Sequence, residues 1–349
     1  MKTKIEEFSH RNHSVPQAYF RGWSTDGTRV WARRLLVPSP QYPEWTRTSI
    51  RSLARYDHLY TSVRSGEESD AFERWLNEEF EDPAAEPLRR VRADHPITAD
   101  DLRRLAYYAA ALDQRTPVSY MEQSERMMRD MPGILQSTLA GVKRKLRKAD
   151  KERRRIEPSR EVDNNSLPLR VRVEDSPRPG MATLKVEISV GRELWLHNMR
   201  HTLTKTIAVL KDHDWTILKP YEGYHWFTSD HPVLKLNFWD ANKYNFGGGW
   251  GNRGSEIILP ISPTHLLYTK VGHPKPKSQF FDMEQTCLLQ KFLAERAHRW
   301  IVAMNQPLRA VWFRRRVVDQ TRFEEEETQW AEWERAQADA ESGTPRRAD

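Results

Sequence analysis

The sequence predicts an α+β protein, with a helical N-terminal half followed by a mostly antiparallel sheet on which helices pack. Two observations carry this. Between Ser69 and Lys151 apolar residues recur at helical spacing, whereas beyond Leu167 they alternate with polar residues in short runs. A strongly basic stretch, Lys143 to Arg160, separates the two regimes. With 349 residues, 38% of them hydrophobic, the chain is long enough to bury a real core. One large α+β domain is expected over 1–320, with a helical portion 1–160 and a sheet-rich portion 161–320. A charged helix and polar tail should occupy 321–349.

The elements follow in order. GTRVWARRLL (Gly27 to Leu36) reads as a strand and the Pro-spaced VPSPQYPEW after it as a loop. Phe72, Leu76 and Phe80 lie at helical spacing within Ser69 to Val91, predicting an amphipathic helix interrupted near Pro83. In ITADDLRRLAYYAAALDQRTP, Thr98 is placed as N-cap with Asp101 in the capping-box position. Pro117 then disfavours helical geometry at Thr116. A second helix is expected over Tyr120 to Lys151, kinked or broken at Pro132-Gly133. LPLRVRVED and ATLKVEISV alternate around SPRPG, a hairpin pattern. A helix over Glu193 to Asp212, the strand candidates WTILK, HWFT, PVLKL, SEIILPI and HLLYTK, and a helix over Asp282 to Arg299 come next. IVAMN and RAVWF are expected to close the sheet, and the charged helix from Thr321 is expected to be peripheral.

Composition excludes some classes. No stretch approaches the roughly 18 to 20 apolar residues of a membrane helix, and the mean hydropathy is −0.81. MKTKIEEFSHRN lacks the features of a leader peptide, and the single Cys287 cannot form an internal disulfide, so a cytoplasmic protein is expected. Cys287 lies among apolar residues and reads as a small core residue. The formal net charge of +7 matches that of Lys143 to Arg160 alone, leaving the remainder close to neutral. That segment could contact nucleic acid or another anionic ligand. A solvated helix end running into a linker is the favoured alternative, because no aromatic residues are interleaved to stack on bases.

Three stretches could supply a polar site. HSVPQAYFRGW holds His13, Gln17 and Arg21 at a spacing of four, and a helical turn after Pro16 would put Gln17 and Arg21 on one face. An imidazole that is neutral near pH 7 can serve as base or metal ligand, although an apolar anchor with incidental polar residues fits the same letters. ALDQRTP brings Gln114 and Arg115 to a helix end, where the guanidinium either caps carbonyls or grips an anion by parallel bonds. WFTSDHPV sets Ser229 and Asp230 at a strand end, a position suited to acid-base or metal chemistry and equally to ordinary turn chemistry. The Gly-rich NFGGGWGNRGS is followed by no Lys-Ser/Thr and has no GxGxxG, so it reads as a surface loop or lid. HExxH and GxSxG patterns are absent.

Taken together, HSVPQAYFRGW, ALDQRTP, WFTSDHPV and ILPISP (Ile258 to Pro263) resemble an uncharacterised bacterial family, domain of unknown function 4238, from about His13 to Asn305. Members of that family open on a His-x-Val-Pro-Gln-x-Tyr-Leu-Arg-x-Phe pattern. The resemblance puts the family's opening His and Gln on His13 and Gln17. Its Gln/Arg/Pro element falls on Gln114, Arg115 and Pro117, and its Ser-Asp-x-Pro on Ser229, Asp230 and Pro232. It also implies an acidic residue before Pro83, at Glu81. This chain departs in having Gln114 and Arg115 adjacent, and Phe20 and Trp23 where Leu and Phe are usual.

The expected function is hydrolysis of a phosphate ester, with a metal-dependent nuclease as its sharpest form. In that scheme His13 is the base, Asp230 with Glu81 orients it or holds Mg or Mn, and Arg115 neutralises developing charge. Gln17, Arg21, Gln114 and Ser229 would contact substrate. Two alternatives stand beside it: a non-catalytic nucleic-acid-binding or protein-interaction module, in which Arg115 forms a buried ion pair with Glu81 or Asp230, and an enzyme on a small anionic metabolite with the Gly-rich loop as lid.

Overall fold

Capping and alternation both take hold locally. The computed structural model describes residues 11–60, 62–64, 67–153, 169–175, 182–188 and 190–342. Residues 154–160 of the basic segment, the SPRPG turn and the tail beyond Ser342 lie outside these described residues. The chain divides into two compact units, residues 1–118 with 203–349, and residues 119–202. The protein is α+β, and the sheets of both units are antiparallel except for the parallel pairing of Leu36–Val37 with Val317–Val318.

In the first unit, strands Thr216–Leu218, His265–Lys270, Glu256–Ser262, Leu234–Asp240 and Lys243–Asn245 form a five-stranded sheet in that order. A four-stranded sheet runs Thr228–Ser229, Trp300–Ala303, Arg29–Arg34, Thr46–Ser49. One hydrophobic core joins them: Leu234, Ile258 and Leu266 from the first sheet and Ile301 from the second meet Phe292 and Leu293 of helix Met283–Arg296. That helix starts on a capping box in which Asp282 accepts the Gln285 N–H and Gln285 accepts the Asp282 N–H. The short pair Arg11–His13 with Arg55–Asp57 lies outside both sheets.

Helix Ala99–Gln114 also begins on the expected box. Thr98 Oγ1 accepts the Asp101 N–H at 3.1 Å and Asp101 Oδ2 accepts the Thr98 N–H at 2.8 Å. Thr98→Ala is expected to cost about 1 kcal/mol in urea unfolding, with Thr98→Ser close to neutral. Equal losses for both would mean that the hydroxyl is not what holds this helix end.

The structure corrects several boundaries. The helix that begins at Ala71 is not broken at Pro83. It passes through a π turn at Asn77–Glu81, closed by the Asp82 N–H on the Asn77 carbonyl, and continues over Asp82–Arg92. A widened turn relieves the clash that a proline ring makes with the preceding carbonyl, so Pro83 fits at the start of the following segment. RAVWF is helical, within Leu308–Phe313, rather than a strand. Pro307 opens it, and its outer face leaves Leu308 and Trp312 exposed. Cys287 is half-buried.

Helix Gln320–Ser342 is anchored rather than peripheral. Arg34 bonds Glu326 and Glu327 and lies over the Trp300 and Phe323 rings, while Trp330 packs edge-on against Tyr56.

The second unit contains most of helix Pro117–Lys151, the hairpin Leu169–Asp175 with Ala182–Ile188, and most of helix Arg192–Thr204. Pro117 opens the long helix, since a proline at a first helical position forfeits no intrahelical bond, and Pro132 is carried inside it. Lys143 to Lys148 are all exposed, as a solvated helix face would be.

Candidate functional site

The opening motif divides its residues between core and surface. Tyr19, Phe20 and Trp23 are fully buried. The Tyr19 hydroxyl donates to the Pro260 carbonyl and meets Thr228 Oγ1, both at 2.7 Å, and the Trp23 indole N–H donates to the Trp226 carbonyl at 3.0 Å. Gly22 permits this packing, because a Cβ there would stand 2.9 Å from both the Arg92 guanidinium and the Ile261 carbonyl. The aromatic anchor holds the polar residues of the same segment against two adjoining clefts.

In the first cleft, of about 290 Å³, His13, Gln17 and Arg21 from the motif face Glu73, Asn77 and Glu81 from the helix with the π turn. Arg115 closes its floor. Its guanidinium donates to Glu81 Oε1, to the His13 carbonyl at 2.8 Å and to the Tyr60 hydroxyl at 3.2 Å. Tyr60 returns its own hydroxyl proton to the Arg115 carbonyl at 2.7 Å. Burial alone would lower the Arg115 pKa, but Tyr60 and Glu81 outweigh it and raise the value, so the guanidinium stays charged. Asn12 completes the frame by donating to Glu73 Oε2 at 2.7 Å and accepting the Tyr60 N–H at 3.1 Å.

His13 is the one histidine among the described residues that line this cleft. Burial lowers its pKa below the ordinary 6.5, against the opposing bond to the Arg51 carbonyl, and Arg115 and Arg55 lower it further. The imidazole is therefore neutral at pH 7. A carbonyl can only accept, so the contact of Nε2 with the Arg51 carbonyl at 3.1 Å puts the proton on Nε2 and leaves Nδ1 as the basic nitrogen. Gln17 Nε2 stands 3.5 Å from His13 Nε2.

The second cleft, of about 410 Å³, shares Gln17 and Arg21 with the first and is further lined by Thr28, Arg29, Ser49 and Arg51.

Five expected site residues, His13, Gln17, Arg21, Glu81 and Arg115, thus line one cleft, and three do not. Asp230 is buried, and its carboxylate accepts the backbone N–H groups of Arg299 at 2.8 Å, His298 at 3.1 Å and Trp300 at 3.3 Å. Ser229 is buried in the short strand and accepts the His231 N–H at 3.1 Å. Gln114 donates to Asp113, which also accepts from Lys235 and from the Trp250 indole. That last contact pins the Gly-rich loop, and a Cβ on Gly248 would fall 2.8 Å from the Lys235 backbone, so this loop is packed down rather than free to close as a lid. Glu73 and Asn77 were not among the expected residues. Their signal is the spacing of four that they share with Glu81, one face of a helix.

Asp230 and Glu81, the expected metal ligands, do not line one cleft together. The oxygens of Asp230 are engaged by backbone donors, Glu81 is paired with Arg115, and Asp230 is absent from the lining of the cleft that holds Glu81. Among the described residues no group of three or more His, Cys, Asp or Glu is placed to hold a metal ion. No helix among them is long and apolar enough to cross a membrane.

Fold and site together define an α+β protein with a polar surface cleft built around one neutral histidine and a buried arginine. The chain matches the family described as protein of unknown function (DUF4238) over residues 11–307, and it belongs to that family. No curated protein and no solved structure matches it.

Proposed function

We propose that this protein hydrolyses a phosphate ester in the cleft that holds His13. One observation carries the proposal: a neutral imidazole lines the same cleft as Arg21, whose exposed guanidinium has no side-chain partner among the described residues. Nδ1 of His13 takes a proton from water as the water oxygen bonds to phosphorus and the P–O ester bond breaks; the departing alkoxide leaves with the bonding pair and takes its proton from solvent, while Arg21 balances the charge that gathers on the phosphoryl oxygens. Gln17 positions substrate or water. Arg115 and Glu81 act as positioning residues, because Arg115 spends its donors on Glu81, Tyr60 and the His13 carbonyl and so holds the backbone that carries the base. The scheme uses only side chains that line the cleft, and no step in it is routed through a metal.

The test is cleavage of p-nitrophenyl phosphate esters and of single- and double-stranded RNA and DNA, with magnesium, manganese or EDTA. His13→Ala is expected to lower the rate by roughly 10²- to 10⁴-fold with circular dichroism unchanged. The base works only when deprotonated, so the wild-type rate should rise with pH through a value below 6.5 and be flat by neutrality. A His13→Ala variant that keeps more than about a tenth of the rate removes His13 from the reaction.

A non-catalytic reading has its own support in the Arg115–Glu81 ion pair and the His13 bond to backbone, which together look like a scaffold. In that case the cleft, or the exposed basic helix end from Lys143, binds an anionic partner such as nucleic acid without turning it over. Absence of cleavage of every substrate, alongside retained binding, would favour it. An enzyme on a small anionic metabolite uses the same cleft.

A further inference from the structure

Resting on that reading, we infer that the cleft formed by Arg21, Arg29 and Arg51 binds a second phosphate of the substrate, so that the protein acts on a small ester bearing at least two phosphates.

Neighbouring arginines in this region are paired: Arg47 with Asp26 at 2.7 Å and Arg55 with Asp57 at 3.1 Å. Arg21, Arg29 and Arg51 differ. All three are exposed, and among the described residues none of their guanidinium groups makes a hydrogen bond or ion pair. Among the described residues no carboxylate lines the cleft they surround. Asp26, in the turn beside it, is consumed by the Thr28 and Arg29 N–H groups, by the Ser24 and Thr28 hydroxyls and by Arg47. Three like charges around one concavity repel one another until an anion enters, and planar guanidinium forks match phosphate oxygens.

The volume, about 410 Å³, lies within the rough 300 to 1,000 Å³ of small-ligand sites. Gln17 and Arg21 form the wall shared with the His13 cleft, so an anion held by the arginines lies beside the one that reacts. Among the described residues neither cleft is lined by an aromatic ring on which a base could stack. The ligand is therefore recognised through its phosphates.

Isothermal titration with inorganic tripolyphosphate at low salt tests this on the full chain. Arg29→Ala and Arg51→Ala should each weaken binding by about tenfold, and Arg51→Glu should abolish it. Arg126→Ala, on an exposed helix face in the other unit, should leave binding unchanged. No binding by the wild type, or an equal loss in Arg126→Ala, overturns the inference. A ten-residue thymidine oligonucleotide that binds more tightly than tripolyphosphate through the same arginines overturns the small-ester assignment in favour of a nucleic-acid backbone. Binding is read without turnover: a wild-type protein that cleaves esters but does not bind tripolyphosphate defeats this inference alone. Intact binding with no cleavage defeats the hydrolase reading and, with it, the assignment of a reacting substrate.

Discussion

Replacing Arg115 by alanine is expected to destabilise the fold by about 3–5 kcal/mol, the usual consequence of removing one partner from a buried ion pair. The guanidinium is 2% exposed and the Glu81 side chain 20% exposed. Its removal strands the Glu81 carboxylate and withdraws the donor that satisfies the His13 carbonyl. The Tyr60 hydroxyl, whose pKa burial pushes up to about 12, loses its charged neighbour as well. Urea unfolding measures the loss. The double variant Arg115→Met with Glu81→Leu should recover a large part of it, because two apolar side chains of similar length leave no charge to desolvate. A cost below about 1 kcal/mol for Arg115→Ala would show that the pair does not hold the cleft floor. Glu81→Gln, by contrast, keeps an acceptor for Arg115 and should cost less than Arg115→Ala.

Asp230→Ala is expected to cost roughly 3 kcal/mol, and the loss should be one of folding rather than of chemistry. Three half-buried backbone N–H groups, those of His298, Arg299 and Trp300, lose their acceptor together, and each unsatisfied donor costs about 1 kcal/mol, the low end for a buried group. Asp230→Asn retains one acceptor oxygen but turns an N–H₂ toward a donor, so an intermediate loss is expected. Unfolding curves decide the matter. An Asp230→Ala protein as stable as wild type to within about 0.5 kcal/mol, yet inactive in cleavage, would return Asp230 to the reaction.

The two variants separate what could and could not be read before the chain was folded. The Thr98–Asp101 box and the helix it starts are legible because the partners stand three residues apart. The opening motif is legible for a similar reason, since Pro16 and the spacing of Gln17 and Arg21 act within one turn. Membership of the family follows from four short patterns in order, and the match over 11–307 bears it out. That Asp230 stands apart from the cleft could not be read from the sequence, because its partners lie 68 to 70 positions downstream, and no local pattern distinguishes a carboxylate that accepts backbone donors from one that acts on a ligand. Pro83 marked an interruption correctly in kind, but the π turn that accommodates it sits at Asn77–Glu81. Arg29 and Arg51 carried no signal, since exposed arginines near turns are ordinary.

The sequence by itself determined the α+β class, the helix starts, the alternating strands and the polar segment that carries His13, all of which depend on propensities and periodicities within a few residues. Only the tertiary structure decided which charges are spent and which are free. Arg115 and Asp230 are consumed by partners from remote segments, whereas Arg21, Arg29 and Arg51 gather around a cleft without any among the described residues. Pairing between charges depends on distances of a few ångströms, and those distances exist only once segments far apart in the chain have packed together.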